Sequence, residues 1–130
     1  MSPEKRVIDG IEIEELRALG RSLHYYHLRK GNKHLEVRVD LEGRSAFTFM
    51  SEIPEAPKET GTTTILSRKA LEIISGLAKE YGVSIHCRIE TSDEKMKAWL
   101  RDPNKGKTIF GDAQIKNRPY GIEAVLEINP

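Results

Sequence analysis

The feature that most restricts the fold is a strict period of two. Leu35, Val37, Val39 and Leu41 alternate with Glu36, Arg38, Asp40 and Glu42. Successive side chains of a strand point to opposite faces, so this segment has one apolar and one charged face. Gly43 follows, and Ala46-Phe47-Thr48-Phe49-Met50 returns as a second strand. The two are expected to form a β-hairpin.

The same alternation recurs. Val83, Ile85, Cys87 and Ile89 alternate with Ser84, His86, Arg88 and Glu90, and Ile122, Ala124, Leu126 and Ile128 form a last inward series. The stretch Leu-His-Tyr-Tyr-His-Leu at 23–28 favours a pleated, half-buried surface. A turn built on Gly31-Asn32 joins it to the hairpin. A further strand is expected over 108–115, with a turn over 117–121.

Helical spacing appears elsewhere. Leu66, Ala70, Ile73, Ile74, Leu77 and Tyr81 form one stripe, and Gly82 ends it. Gly76 inside this helix reads as a site of close packing. Residues 8–19 read as an irregular start and a short helix on Ile13, Leu16 and Leu19, stopped by Gly20. Ser92 caps another helix, with Met96, Trp99 and Leu100 inward and Pro103 as its stop. Short turns make the early strands antiparallel, and the long helix can return the chain to a parallel strand. The expected fold class is therefore α+β, a mixed, mostly antiparallel sheet with helices packed on it. No linker or repeat divides residues 1–130, so one domain is expected.

Charge limits the partners. The 21 basic and 20 acidic residues leave a net +1, which gives no broad field for nucleic acid or an anionic membrane. No run approaches the ~18 apolar residues of a membrane span. Cys87 is the single cysteine, so no internal disulfide can form and a cytoplasmic location is expected.

Four clusters could carry chemistry. The start of the long helix reads Gly61-Thr62-Thr63-Thr64, then Ser67-Arg68-Lys69. Helix N-termini carry free N–H groups and favour anions, yet here the first turns carry two cations. A bound phosphate would offset that, with the hydroxyls donating to it; the plainer reading is a capped helix with solvated basic side chains. The second cluster is a polar sheet face with Glu36, Arg38 and Asp40 on one strand and His86, Arg88 and Glu90 on another. It could hold a general base or simply cross-strand ion pairs. The third comprises His24, His27 and His34. His24 and His27 point to opposite faces of a strand, which is poor ligand geometry, so no metal site is expected. The fourth is basic text with aromatics, Lys105, Lys107, Lys116 and Arg118 near Phe110 and Tyr120. It could hold single-stranded nucleic acid or be a solvated loop. No Walker loop, dinucleotide fingerprint, serine elbow or zinc-protease motif is present.

The order of elements over roughly 12–128 resembles the GNAT acyltransferase superfamily in a short form. In that family the loop before the central helix binds the pyrophosphate of acyl-CoA. The matching segment here carries Gly61 but not the family's Arg/Gln-x-x-Gly-x-Gly/Ala string. The resemblance implies acetyl-CoA or another acyl-CoA as cofactor, held by Gly61, Thr62, Thr63, Thr64, Arg68 and Lys69. It implies Glu52, at the end of the returning hairpin strand, as the catalytic base for an amine, and a V-shaped split between parallel strands. Two functions are thus expected: a divergent acyl-CoA-dependent N-acyltransferase or its inactive relative, or a non-catalytic interaction module. The module would bind protein or nucleic acid, or form a homodimer, through the face bearing Arg38, His86, Arg88 and Glu90.

Overall fold

The computed structural model describes residues 4–17, 22–91, 114–118 and 121–130. In chain order the elements are β1 (Glu4–Ile8), β2 (Ile11–Arg17), β3 (Leu23–Lys30), β4 (Lys33–Asp40), β5 (Ser45–Glu52), α1 (Thr62–Tyr81), β6 (Ile85–Thr91), β7 (Gln114–Arg118) and β8 (Gly121–Ile128). All eight strands lie in one sheet, in the order β1-β2-β3-β4-β5-β6-β8-β7.

Turn chemistry sets the first five strands in an antiparallel meander. Asp9 and Gly10 both have positive φ, 54° and 75°, as a two-residue primed turn requires. Gly31, at φ 59°, opens the next such turn. At the β4–β5 connection the Gly43 N–H donates to the Asp40 carboxylate at 3.0 Å. Helix α1 then carries the chain back, and β6 pairs parallel to β5; β8 adds to β6 and β7 to β8, both antiparallel. The β4–β5 hairpin stands as its alternation predicts, in register from Lys33↔Glu52 to Asp40↔Ser45.

One face of the sheet is apolar. Ile13, Leu28, Leu35 and Met50 lie side by side across β2 to β5, and Val39, Ala46, Cys87 and Leu126 form a second row from β4 to β8. Leu66, Ala70, Ile74 and Leu77 of α1 are buried in the same core. Gly82, at φ 63°, ends α1 and returns its N–H to the carbonyls of Ala78 and Lys79. Among the described residues no helix is long and apolar enough to cross a membrane.

The expected α+β architecture is corrected. The chain is mostly sheet, and α1 is the single helix among the described residues. Within the segment expected to hold a short helix over 8–19, residues 11–17 are instead β2, paired with β1 and β3, and 18–19 lie outside the described residues. The physical reason is local: Asp9-Gly10 makes a tight turn, and Ile11 and Ile13 alternate inward against Glu12 and Glu14. The family-like order of elements falls with it, since it needs a helical N-terminal part and helices layered on the sheet. The helix expected after Ser92, and most of the strand expected over 108–115, lie outside the described residues.

Gly76 also departs from expectation. A Cβ built there meets nothing within 4 Å among the described residues, so the glycine serves no close packing with them. Gly76→Ala is expected to raise stability by about 0.5–1 kcal/mol, because an exposed helical glycine costs backbone entropy and nothing here opposes the methyl. Urea denaturation of the two proteins, with an unchanged slope, measures it.

Candidate functional site

At the start of α1 some of the expected anion-binding residues meet groups of the protein itself. Gly61 is its N-cap, at φ 73°, and makes no side-chain cap. Thr62, Thr63 and Ser67 are buried, and the Thr62 hydroxyl donates to the Glu59 carbonyl at 3.5 Å. Lys69 lies 3.3 Å from Glu72 and 4.0 Å from Asp9. Arg68 is exposed and Thr64 half-buried. Glu52, the expected base, meets the buried ammonium of Lys33 at 2.5 Å. The parallel strands β5 and β6 stay in register from Ser45↔His86 to Met50↔Thr91, with no split along that stretch.

His24 and Tyr26 share the apolar face and are both buried. Among the described residues neither ring nitrogen of His24 meets a hydrogen-bond partner. An unsatisfied buried polar group costs about 1–3 kcal/mol, whereas an apolar ring of similar shape carries no such cost. His24→Phe is therefore expected to raise stability by about 1 kcal/mol, read as a higher denaturation midpoint. Cys87 is fully buried, and burial pushes its thiol up to about 12, so it is core rather than nucleophile.

The opposite sheet face holds the polar residues, and no helix among the described residues packs on it. Cross-strand register arranges its centre as two rows. The first runs Tyr25, Arg38, Phe47, Arg88 over β3, β4, β5 and β6; the second runs His27, Glu36, Phe49, Glu90 over the same strands. Strands β4 and β6 are thus not neighbours, since β5 separates them with Phe47 and Phe49. The Arg88 guanidinium lies 5.5 Å from the Phe47 ring centre, donates to Glu90 at 2.8 Å and stands 3.8 Å from Glu123. Such a contact combines cation–π attraction with ion pairing. His86 is held farther along β6 by Glu127, at 2.6 Å. Of the expected face residues, Arg38, Arg88 and Glu90 are therefore brought together around Phe47 and Phe49. His86 lies to one side. Lys116 and Arg118 fall on β7, and the rest of the basic loop lies outside the described residues.

Three residues that sequence reasoning did not assemble meet at one end of this face. His27 and Glu36 are directly opposite on β3 and β4, and His34 sits diagonally beside His27. The Nε2 atoms of His27 and His34 face each other, and one ligand atom from each of His27, His34 and Glu36 lies within 4.8 Å of the others. The other nitrogen of His34, Nδ1, is 3.2 Å from the Ser51 hydroxyl. Burial and the neighbouring His27 lower the His34 pKa, which favours its neutral imidazole. Burial and the nearby Glu36 carboxylate raise that of Tyr25. Beside His27 opens a cleft of about 440 Å³, lined also by Lys5, Glu12, Glu14 and Arg29. The signal was in the text: a two-residue turn at Gly31-Asn32 fixes the register that opposes 27 to 36.

No protein-family model, curated protein or solved structure matches the chain.

Proposed function

We propose that this domain is a non-catalytic interaction module whose polar sheet face pairs with a second copy of the chain. The observation that carries this is the complementarity of the two central rows about the line between them. A twofold axis along that line, crossing the strands in the plane of contact, lays the first row of one copy on the second row of the other. Arg38 then meets Glu36 of the second copy, Arg88 meets Glu90, Phe47 meets Phe49 and Tyr25 meets His27. Each contact occurs twice, as an isologous interface requires. Face-to-face aligned sheets pack in this manner in sandwiches.

The division of labour is that of known interfaces. Phe47 and Phe49 are half-buried and supply an apolar centre, while the flanking charges fix orientation. Nucleic acid is the weaker partner: Glu36, Glu90 and Glu123 stand next to the arginines and would repel phosphates, and the net charge is only +1. The transferase reading is the less supported, because Thr62, Lys69 and Glu52 each meet groups of the protein itself. Sedimentation equilibrium tests the pairing: the 14.7 kDa chain should run at twice its mass at micromolar concentration. A single-chain mass throughout that range sinks the reading, and salt-sensitive binding of single-stranded RNA would move it to the nucleic-acid alternative.

A further inference from the structure

We infer that His27, His34 and Glu36 form a binding site for one divalent transition-metal ion, of which zinc is the best match. Two imidazoles and a carboxylate are the donor set of sites that keep an open coordination position. The three residues come from two adjacent strands, and the β3–β4 register holds them on one face. Strand positions are stiffer than loop positions, so the backbone keeps the three side chains within reach of one another, and the two rings need only move apart to admit an ion.

The arrangement of the two histidines is the strongest argument. Their Nε2 atoms are turned toward each other. Two imidazole nitrogens that both offer lone pairs repel, and a cation between them satisfies both. The partner of His34 fits that role. Its Nδ1 lies 3.2 Å from the Ser51 hydroxyl, which can accept the ring N–H there and leave Nε2 as the free lone pair. Ligating histidines are usually fixed in this way by a hydrogen bond at the other nitrogen. Glu36 stands directly opposite His27 across the β3–β4 register. A metal-bound carboxylate keeps its second oxygen for hydrogen-bond donors, so the site is compatible with Arg38 of a second copy approaching Glu36.

Access is provided by the cleft next to His27. Lys5 and Arg29 on its wall would favour a small anion in the open coordination position, whereas Glu12 and Glu14 limit the field. The site is complete within one chain and does not rest on the pairing of two copies. His24, on the apolar face, and His86, on β6 beside Glu127, take no part in it.

Isothermal titration of the full chain with zinc, and with cobalt followed by its visible absorption, tests the site. One ion per chain is expected, with a cobalt spectrum of low coordination number. His27→Ala and His34→Ala should each weaken zinc by about 100-fold or more, and Glu36→Gln by about 10-fold or more. His86→Ala should leave the affinity unchanged. Circular dichroism melts establish that each variant is folded, and zinc should raise the melting temperature of the wild type but not of His27→Ala. Absence of zinc binding by the wild type overturns the assignment. So does equal binding by the folded His27→Ala and His34→Ala proteins, or loss of binding in His86→Ala. Sedimentation of the same samples reports the pairing separately, so either idea can fail without the other.

Discussion

Arg38→Glu is expected to separate the paired copies into monomers, weakening association by about 100-fold or more. The residue is exposed at the centre of the first row, so its replacement leaves the core untouched. Under the twofold arrangement it meets Glu36 of the other copy twice. The change removes two opposite-charge contacts and creates two like-charge ones. Like charges brought together across an interface cost several kcal/mol, and every 1.4 kcal/mol is tenfold in affinity. The reverse test is more demanding. In the double variant Glu36→Arg, Arg38→Glu, each new glutamate again faces an arginine, and the dimer should return. Sedimentation equilibrium reads all three proteins. An unchanged mass for Arg38→Glu would remove this face from the interface. A double variant that stays monomeric, although folded, would move the axis away from the line between the rows.

The parts of this fold that could be read from the text share one property. In β4, β6 and β8 the inward positions are apolar apart from Lys33, the first of β4, and the alternation is otherwise unbroken; the buried face of β4 runs on through Leu35, Val37 and Val39. Strand β2 breaks that rule. Its inward series is Ile11, Ile13 and then Glu15, an acid that is nevertheless buried and lies 3.9 Å from Arg6 on β1. With the third inward position charged, the helical spacing of Leu16 and Leu19 looked stronger than the strand. The Asp9-Gly10 turn was the missed cue, since such a pair flanked by Ile8 and Ile11 is a strong hairpin signal.

The candidate site was legible only in part for a different reason. Alternation assigns side chains to a face but says nothing of which strands are neighbours. Arg38 and Arg88 share a face as expected, yet the placement of β5 between their strands comes from the α1 crossover. Local register is another matter. The two-residue turn at Gly31-Asn32 pairs Lys30 with Lys33, and counting outward pairs His27 with Glu36. Spacing along one strand, by contrast, sets His24 and His27 on opposite faces and conceals the meeting of His27 with His34. The sequence also showed Arg68 and Lys69 against the helix dipole, but not that Asp9, from the turn of the first hairpin, stands within 4.0 Å of Lys69.

The largest effect on stability is expected from Leu35→Ala. Leu35 is 2% exposed and stands at the middle of the apolar row, with Leu28 opposite it on β3 and Met50 on β5. Helix α1 packs over β3 and β4, so the space left by the lost side chain is roofed as well as walled. Strands held on both sides by hydrogen bonds cannot move in to fill it, and a large-to-small change that cannot collapse sits at the costly end of its range. The expected loss is about 3–4 kcal/mol, a substantial share of the ~5–15 kcal/mol that holds a domain together. For a chain of this size that corresponds to a fall of roughly 10–15 °C in melting temperature. The next residue provides the comparison. Glu36 lies on the same strand but on the polar face, and Glu36→Ala should change the stability of the single chain by less than about 0.5 kcal/mol, read at a concentration low enough to keep the copies apart and without added metal. Urea denaturation of both variants gives the two numbers side by side. Similar losses for the two would mean that the faces of β4 are not divided between core and surface as the register states, and both the row pairing and the metal site would lose their foundation.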